Sequence, residues 1–361
     1  MKFSLFMLPC FRAGVAPSLA QFYEELAELV RYADTTGWDR AWLSEHHFHY
    51  YGGASPNPAQ LLTAWARETT RIRLGSGISL LPLRNPLHVA EEFALLDQLS
   101  GGRLDFGVGR GYLPHEFAGH GVTAEEATGR REEAFDIVMR AWQGAPFAYE
   151  GRHNRFPLLQ VTPTPLQQPV PVWVACSRTR ESFEWAGRNG YAMMMNHYPQ
   201  SRAQAAERFA WYRDPYAAAG HDPARREAMM SVFLYLADSA EQAVDEARMM
   251  VQEHANLYRL LFQGDQWNED YAGDASVFDF LAPDGDVAGM FAERTCIGTP
   301  AQAVERIVGW REMGFTEISF VVRTGALSHA ATMRTMARFN DAVLPAFAAA
   351  RAAVPAGRQD R

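Results

Sequence analysis

Short apolar or β-branched runs alternate with amphipathic segments along the chain. Eight runs read as strands: 3 to 8 (FSLFML), 40 to 44 (RAWLS), 72 to 81 (IRLGSGISLL), 103 to 109 (RLDFGVG), 170 to 176 (VPVWVAC), 191 to 195 (YAMMM), 230 to 237 (MSVFLYLA) and 317 to 322 (EISFVV). Near-continuous apolar runs suit strands covered on both faces, so the sheet they imply is parallel. Helix-period segments fall near 19 to 36, 58 to 69, 86 to 99, 123 to 143, 181 to 189, 200 to 219, 239 to 255 and 300 to 313, with a last one near 328 to 345. Ser18 and Thr123 stand as N-caps, Pro58 and Pro86 fall in first turns, and Gly37, Gly101 and Gly314 follow C-terminal ends. Eight strands, each followed by a helix, predict an α/β fold of the (β/α)8 TIM-barrel type, with a doubly wound sheet as the alternative.

Two stretches break the repeat. Residues 145 to 170, rich in Pro and aromatics, predict an ordered excursion between the fourth helix and the fifth strand. Residues 256 to 294 are acidic and Gly-rich with little periodicity, and are expected to be an insertion after strand 7 that serves as a mobile lid. A single domain is expected over 1–350, with 351–361 as a frayed tail.

Charge and composition narrow the partners. A formal net charge of -8 argues against nucleic acid or an anionic membrane, which call for clustered cations. No run is long enough to span a bilayer. The start, MKFSLFMLPCFRAGVAPSLA, has the outline of a signal peptide, but Pro9 and Arg12 interrupt its apolar core. Cys10, Cys176 and Cys296 form no close pair and are odd in number, which fits a reducing compartment; a cytoplasmic enzyme is expected. Lys2 is the only lysine, so Schiff-base chemistry, carbamylated-lysine metal bridges and the P-loop lose their central residue.

Candidate chemistry gathers behind three strands, at the barrel end where active sites are built. WLSEHHFHYYGG, 42 to 53, follows strand 2 and crowds Glu45, His46, His47 and His49 together. Burying such groups is costly, so they mark either a site or a hydrogen-bonded loop base. If the strand continued, Glu45, His47 and His49 would share a face and resemble a metal-ligand set; a metal hydrolase needs further ligands, commonly a lysine, and no metal is expected. FGVGRGYLPHEF, 106 to 117, lacks the G-x-G-x-x-G spacing, so the dinucleotide reading fails. It leaves Arg110, a fork suited to phosphate or to pairing with Glu116. ACSRTRESFEWAGRNG, 175 to 190, puts Ser177 and Ser182 before or at a helix start, either as anion ligands or as caps.

With these pieces in place, the sequence resembles the bacterial luciferase-like family of flavin-dependent monooxygenases. WLSEHHF, LGSGISLLPLRNPLHVAEEFALLDQLSGGRLDFGVGRGY, VPVWVACS running into ESFEWAGRNG, and CIGTPAQAVERIVGWREMGF occur in the family's order, and the resemblance they mark extends over almost the whole chain, excepting the 256 to 294 insertion and the tail. The resemblance implies a barrel, often dimeric, that takes reduced FMN (FMNH2) from a separate NAD(P)H:flavin reductase and lets it react with O2. A C4a-(hydro)peroxyflavin would then insert one oxygen atom into a small organic substrate, by Baeyer-Villiger-type oxidation or hydroxylation.

By position, His46 resembles the catalytic histidine, with His47 beside it and Glu116 an acidic residue near the site. Arg110, Ser177 and Ser182 resemble the phosphate ligands. Gly77 and Ile78 match a cis peptide under the flavin ring, and Gly109 and Cys176 border that ring. Gly109 replaces a bulkier residue, which implies extra space there. Asn196, His197 and Phe6 are candidates for touching substrate, and Met194 and Met195 for lining the mouth. A deazaflavin (F420)-dependent oxidoreductase and a non-catalytic flavin-binding barrel are the alternatives.

Overall fold

The computed structural model describes residues 1–11, 14–177, 179–196, 200–260, 286–324 and 327–348. Its centre is a closed parallel barrel of eight strand positions. β1 (Lys2–Met7) pairs with β2 (Arg40–Leu43), and β2 with β3 (Arg73–Ser76). β3 runs on through β4 (Ser79–Leu80), and both pair with β5 (Leu104–Gly109). The ring continues through β8 (Val172–Ala175), β9 (Ala192–Asn196) and β10 (Ala228–Leu236), and β12 (Glu317–Val321) closes it against β1. The expected TIM barrel is therefore the fold. The run expected as one strand over 72 to 81 is broken in two at a cis peptide, Gly77–Ile78.

Helices α1 (Leu19–Thr35), α2 (Pro58–Glu68), α3 (Pro86–Ser100), α4 (Pro114–Gly119), α5 (Ala124–Ala141), α6 (Arg180–Arg188), α7 (Arg202–Ala218), α8 (Ala240–Leu260), α9 (Val287–Arg294), α10 (Pro300–Met313) and α11 (His329–Arg338) complete the chain. Ser18 and Thr123 accept the backbone N–H groups of Gln21 and Glu126, as capping requires. Gly101 and Gly314 end their helices in the left-handed conformation. α6 differs from expectation: its N-cap is Thr179, and Ser182 lies inside the first turn, donating to the Thr179 carbonyl. The last helix was expected to run unbroken to 345. It passes instead into a π turn over Phe339–Val343 and a 3-10 turn over Leu344–Phe347, where Pro345 has no N–H to give.

The excursion at 145 to 170 contains an antiparallel hairpin, β6 (Phe147–Glu150) and β7 (Arg155–Leu159), with Tyr149 stacked on Phe156. Alternating half-buried and exposed positions mark these strands as an outer layer. Of the expected insertion, 256 to 260 belong to α8 and 287 to 294 form α9; the segment between, where a lid was expected, lies outside the described residues. β11 (Cys296–Gly298) pairs with the far end of β10.

Most of the apolar core lies between strands and helices, with Leu5, Leu43, Leu74, Phe106, Val174, Met195 and Phe320 pointing outward into it. Inside the barrel the base is ionic. Arg40 reaches Asp105 at 2.8 Å, Glu227 at 3.0 Å and Glu317, and Arg73 joins Asp105 at 2.8 Å. Lys2 pairs with Glu227, and Trp42 Nε1 donates to Glu317 at 3.0 Å. Burial alone would raise the Asp105 carboxyl, but Arg73 and Arg40 outweigh it and hold it at about 2. Above this base Trp42, Trp173, Met194 and Met229 pack with Phe6 and Ile78, so the interior is filled and the open end is the one at the strands' C-terminal ends.

Candidate active site

β2 stops at Leu43, and the chain from Ser44 to Asn57 turns over the mouth before α2. That early stop decides the fate of the histidines, because side chains that would have shared one strand face point to different partners. Glu45, weighed above as a metal ligand, is buried as a structural anchor. One carboxylate oxygen accepts from His47 Nε2 at 3.2 Å. The other accepts from Ser79 Oγ and Leu80 N–H, each at 3.2 Å, and lies 3.7 Å from Arg84. It thus ties the β2 exit to the segment directly after Gly77–Ile78. His49 Nδ1 accepts the Tyr51 N–H at 3.1 Å, so His47 and His49 form no ligand pair. The described residues contain no group of three or more side chains placed to hold a metal ion.

His46 and Glu116 come together across the mouth. The Nδ1 atom of His46 lies 3.0 Å from Glu116 Oε1, and the same oxygen accepts the His47 backbone N–H at 2.8 Å. A carboxylate only accepts, so Nδ1 carries the hydrogen and Nε2 is the ring nitrogen left for chemistry. Glu116 sits on α4, a short helix that the Pro at 114 starts at its first position. Burial pushes the Glu116 carboxyl up. His46, in charge and hydrogen bond, and the His47 N–H more than reverse this, so it titrates below the usual carboxylate range. Its second oxygen, Oε2, is buried with no hydrogen-bond partner among the described residues.

The His46 ring is held on its other sides as well. Tyr51 meets it edge-on at 5.2 Å and Tyr112 at 6.4 Å. Gly52, at φ 71°, comes so close that a Cβ there would lie 2.6 Å from His46 Cδ2. His115 Nε2 bonds the His47 carbonyl at 3.0 Å, and His120 packs against the His47 ring at 4.6 Å. The loops after β2 and β5 are therefore locked to each other. Tyr51, Gly52 and His115 were in quoted motifs without an assigned role, their signal being their density in two short loops, and His120 lay just past the second motif and was not singled out.

The remaining candidates divide. Arg110 follows β5 and Ser177 follows β8; these strands are paired, Val108 opposite Val174, so both residues leave the barrel side by side. The Ser177 carbonyl accepts from Arg208 of α7 at 2.7 Å, a contact no local pattern signalled. The Cys176 side chain is buried in the outer core with its thiol pushed up by burial, so only its backbone borders the mouth. Met195 likewise faces outward, whereas Met194 and Phe6 face the interior. Asn196 ends β9, and its carbonyl accepts from Gln200 at 2.6 Å. His197 lies outside the described residues. Gly109 opens no extra space: a Cβ there would lie 1.9 Å from Ile78 Cδ1, so the room left by the glycine is filled by Ile78.

These residues fit a phosphorylated flavin by donor chemistry. A guanidinium, the Ser177 hydroxyl and the N-terminal N–H groups of α6 suit a phosphate, which Ser182 joins only by releasing the Thr179 carbonyl, and an apolar wall at Ile78 and Phe6 suits a ring system. The orphaned Glu116 oxygen marks a polar position still to be satisfied.

Several known proteins are similar to this chain over nearly its whole length. The flavin-dependent trigonelline monooxygenase, oxygenase component, of Acinetobacter baylyi is 29% identical over 351 residues, 96% of either chain. The crystal structure of monooxygenase RslO1 from Streptomyces bottropensis superposes with a TM-score of 0.85 at 30% identity, covering 96% of this chain and 100% of that one. The oxygenating constituent of 3,6-diketocamphane monooxygenase from Pseudomonas putida, a type II Baeyer-Villiger monooxygenase in complex with FMN, shares the fold with a TM-score of 0.77 at 21% identity, covering 96% and 98%. The family model described as luciferase-like monooxygenase matches residues 1–317, and the chain belongs to that family of oxidoreductases.

Proposed function

We propose that this chain is the oxygenase component of a two-component monooxygenase, which uses FMNH2 from a separate NAD(P)H:flavin reductase to place one atom of O2 in a small organic substrate and release the other as water. The observation that carries the reading is the buried His46–Glu116 pair beside the paired exits of β5 and β8. The names of the relatives, one an oxygenase component and one bound to FMN, support it. Bound reduced flavin supplies the two electrons that activate oxygen.

The protein's own residues bind, orient and manage protons. Arg110, Ser177 and Ser182 hold the phosphate end. Gly77, Ile78 and the backbone at Gly109 and Cys176 form the floor beneath the ring. His46 holds or gives a proton at Nε2 while Glu116 fixes its tautomer, and His47, bonded to Glu45, keeps the loop in place. Phe6 and Asn196 border the substrate's space, with His197 as a further candidate. Closely packed side chains exclude water, which protects reactive oxygen species from stray protons.

Three free, buried cysteines and a membrane-spanning helix absent from the described residues support a cytoplasmic location. The half-exposed Leu95 and Leu99, one turn apart on α3, support a homodimer.

Stopped-flow mixing of the protein and photoreduced FMN with oxygenated buffer tests the reading. A long-lived transient absorbance that His46→Ala shortens is expected. Reoxidation identical to that of free FMNH2 would overturn it, and hydride transfer from reduced F420 would then be measured in its place.

A further inference from the structure

We infer that His254 is a positioning residue for His46, acting through the ring of Tyr51; this builds on the role given to His46 above. His254 lies on α8, far along the chain from the histidine loop, yet its ring is buried at the same mouth. Tyr51 stands between the two imidazoles, with its ring 5.4 Å from His254 and 5.2 Å from His46. His254 is itself fixed: its Nδ1 lies 3.3 Å from Thr324 Oγ1, and Phe233 of β10 packs against its ring at 5.0 Å and 79°.

A second line converges on the same threonine. Thr324 also hydrogen-bonds the Cys10 thiol, and Cys10 Sγ accepts the N–H of Gly52, the residue pressed against His46. The two neighbours that set the His46 ring, Tyr51 and Gly52, are thus each held from behind, and both supports end on Thr324, just past β12.

His254 carries out this role without a charge. Burial drives its imidazole down to about 3, so it is neutral through the ordinary working range. A Leu or Phe would fill the same space without desolvating a polar ring, and what the imidazole adds is a fixed plane, set by the bond to Thr324, against which Tyr51 rests.

The test follows the His46 imidazole by NMR in flavin-free protein, its signal assigned by loss in His46→Ala. In His254→Ala the His46 titration midpoint moves by roughly half a pH unit, and the Nδ1-protonated form loses population. His254→Phe, which keeps the ring but not the bond to Thr324, shows a smaller change of the same sign. The double variant with Tyr51→Ala behaves as Tyr51→Ala alone, because the two residues act in series. Reoxidation of bound FMNH2 changes about tenfold in His254→Ala. An unchanged His46 titration in both folded His254 variants, or effects that add to those of Tyr51→Ala, would overturn the inference. If His254→Ala does not fold, His254→Phe decides alone. If the unaltered protein leaves FMNH2 oxidation as in free solution, the flavin reading fails, and the NMR result still judges His254.

Discussion

Glu116 holds His46 with one oxygen and keeps the other buried without a partner among the described residues. Glu116→Gln keeps the shape but removes the charge and the obligatory acceptor, so the His46 tautomer is no longer fixed. Product formation should fall by about tenfold to a hundredfold, with more peroxide released, as read by coupled product and peroxide assays. The pH dependence has a definite sign. Because the Glu116 carboxyl titrates below its ordinary value of 4.5 in the folded protein, its contribution to stability is complete above that pH. It is lost as pH falls through the lower folded value, so Glu116→Gln flattens the acid limb of a denaturation series. The sequence brought His46 and Glu116 together through family resemblance. Of the two readings left open for Glu45, the hydrogen-bonded loop base is the one found; the ligand reading, set aside already, needed a strand that continues past Leu43, and where a strand stops is poorly encoded in its own residues. His254 gave no signal, since only the closed barrel brings α8 beside the loop after β2.

At the level of elements, the paired course of β4 and β5 depends on Gly109 giving way to Ile78. Gly109→Ala must displace the Ile78 side chain, which costs roughly 1–3 kcal/mol of stability. It should also weaken flavin binding, checked by thermal unfolding and by titration with FMN. At the barrel base Arg40→Met leaves Asp105 and Glu317 buried without their main partner. A loss of about 3–5 kcal/mol in urea denaturation is expected, and replacing the carboxylates as well should recover part of it. Asp105, held at about 2 against an ordinary 3.8, adds roughly 2 kcal/mol that is fully present above pH 3.8 and disappears as pH falls toward 2. Strands and helices were legible because burial on both faces writes long apolar runs and caps write their ends. The break at Gly77–Ile78 entered only through the resemblance, and the hairpin of β6 and β7 was missed because its alternation spans few residues.

For the whole molecule, the eightfold alternation favoured the barrel over a doubly wound sheet, and the pairing of β12 with β1 that closes the ring decides between them. The state of assembly was expected from the family alone. If the α3 face carrying Leu95 and Leu99 meets a second copy, Leu95→Glu with Leu99→Glu should give a monomer by sedimentation velocity, with the barrel's circular dichroism unchanged. A monomeric parent protein would remove that proposal. The single lysine has its own consequence at this scale. Lys2 sits at the barrel base, about a third exposed, and burial, then Arg40, lowers its amine to about 8. The sole side-chain amine therefore gives up its proton more readily than an ordinary lysine. Amine-directed coupling to a bead, a dye or a surface will attach the molecule by its floor, with the histidine-lined end turned outward and chemically untouched.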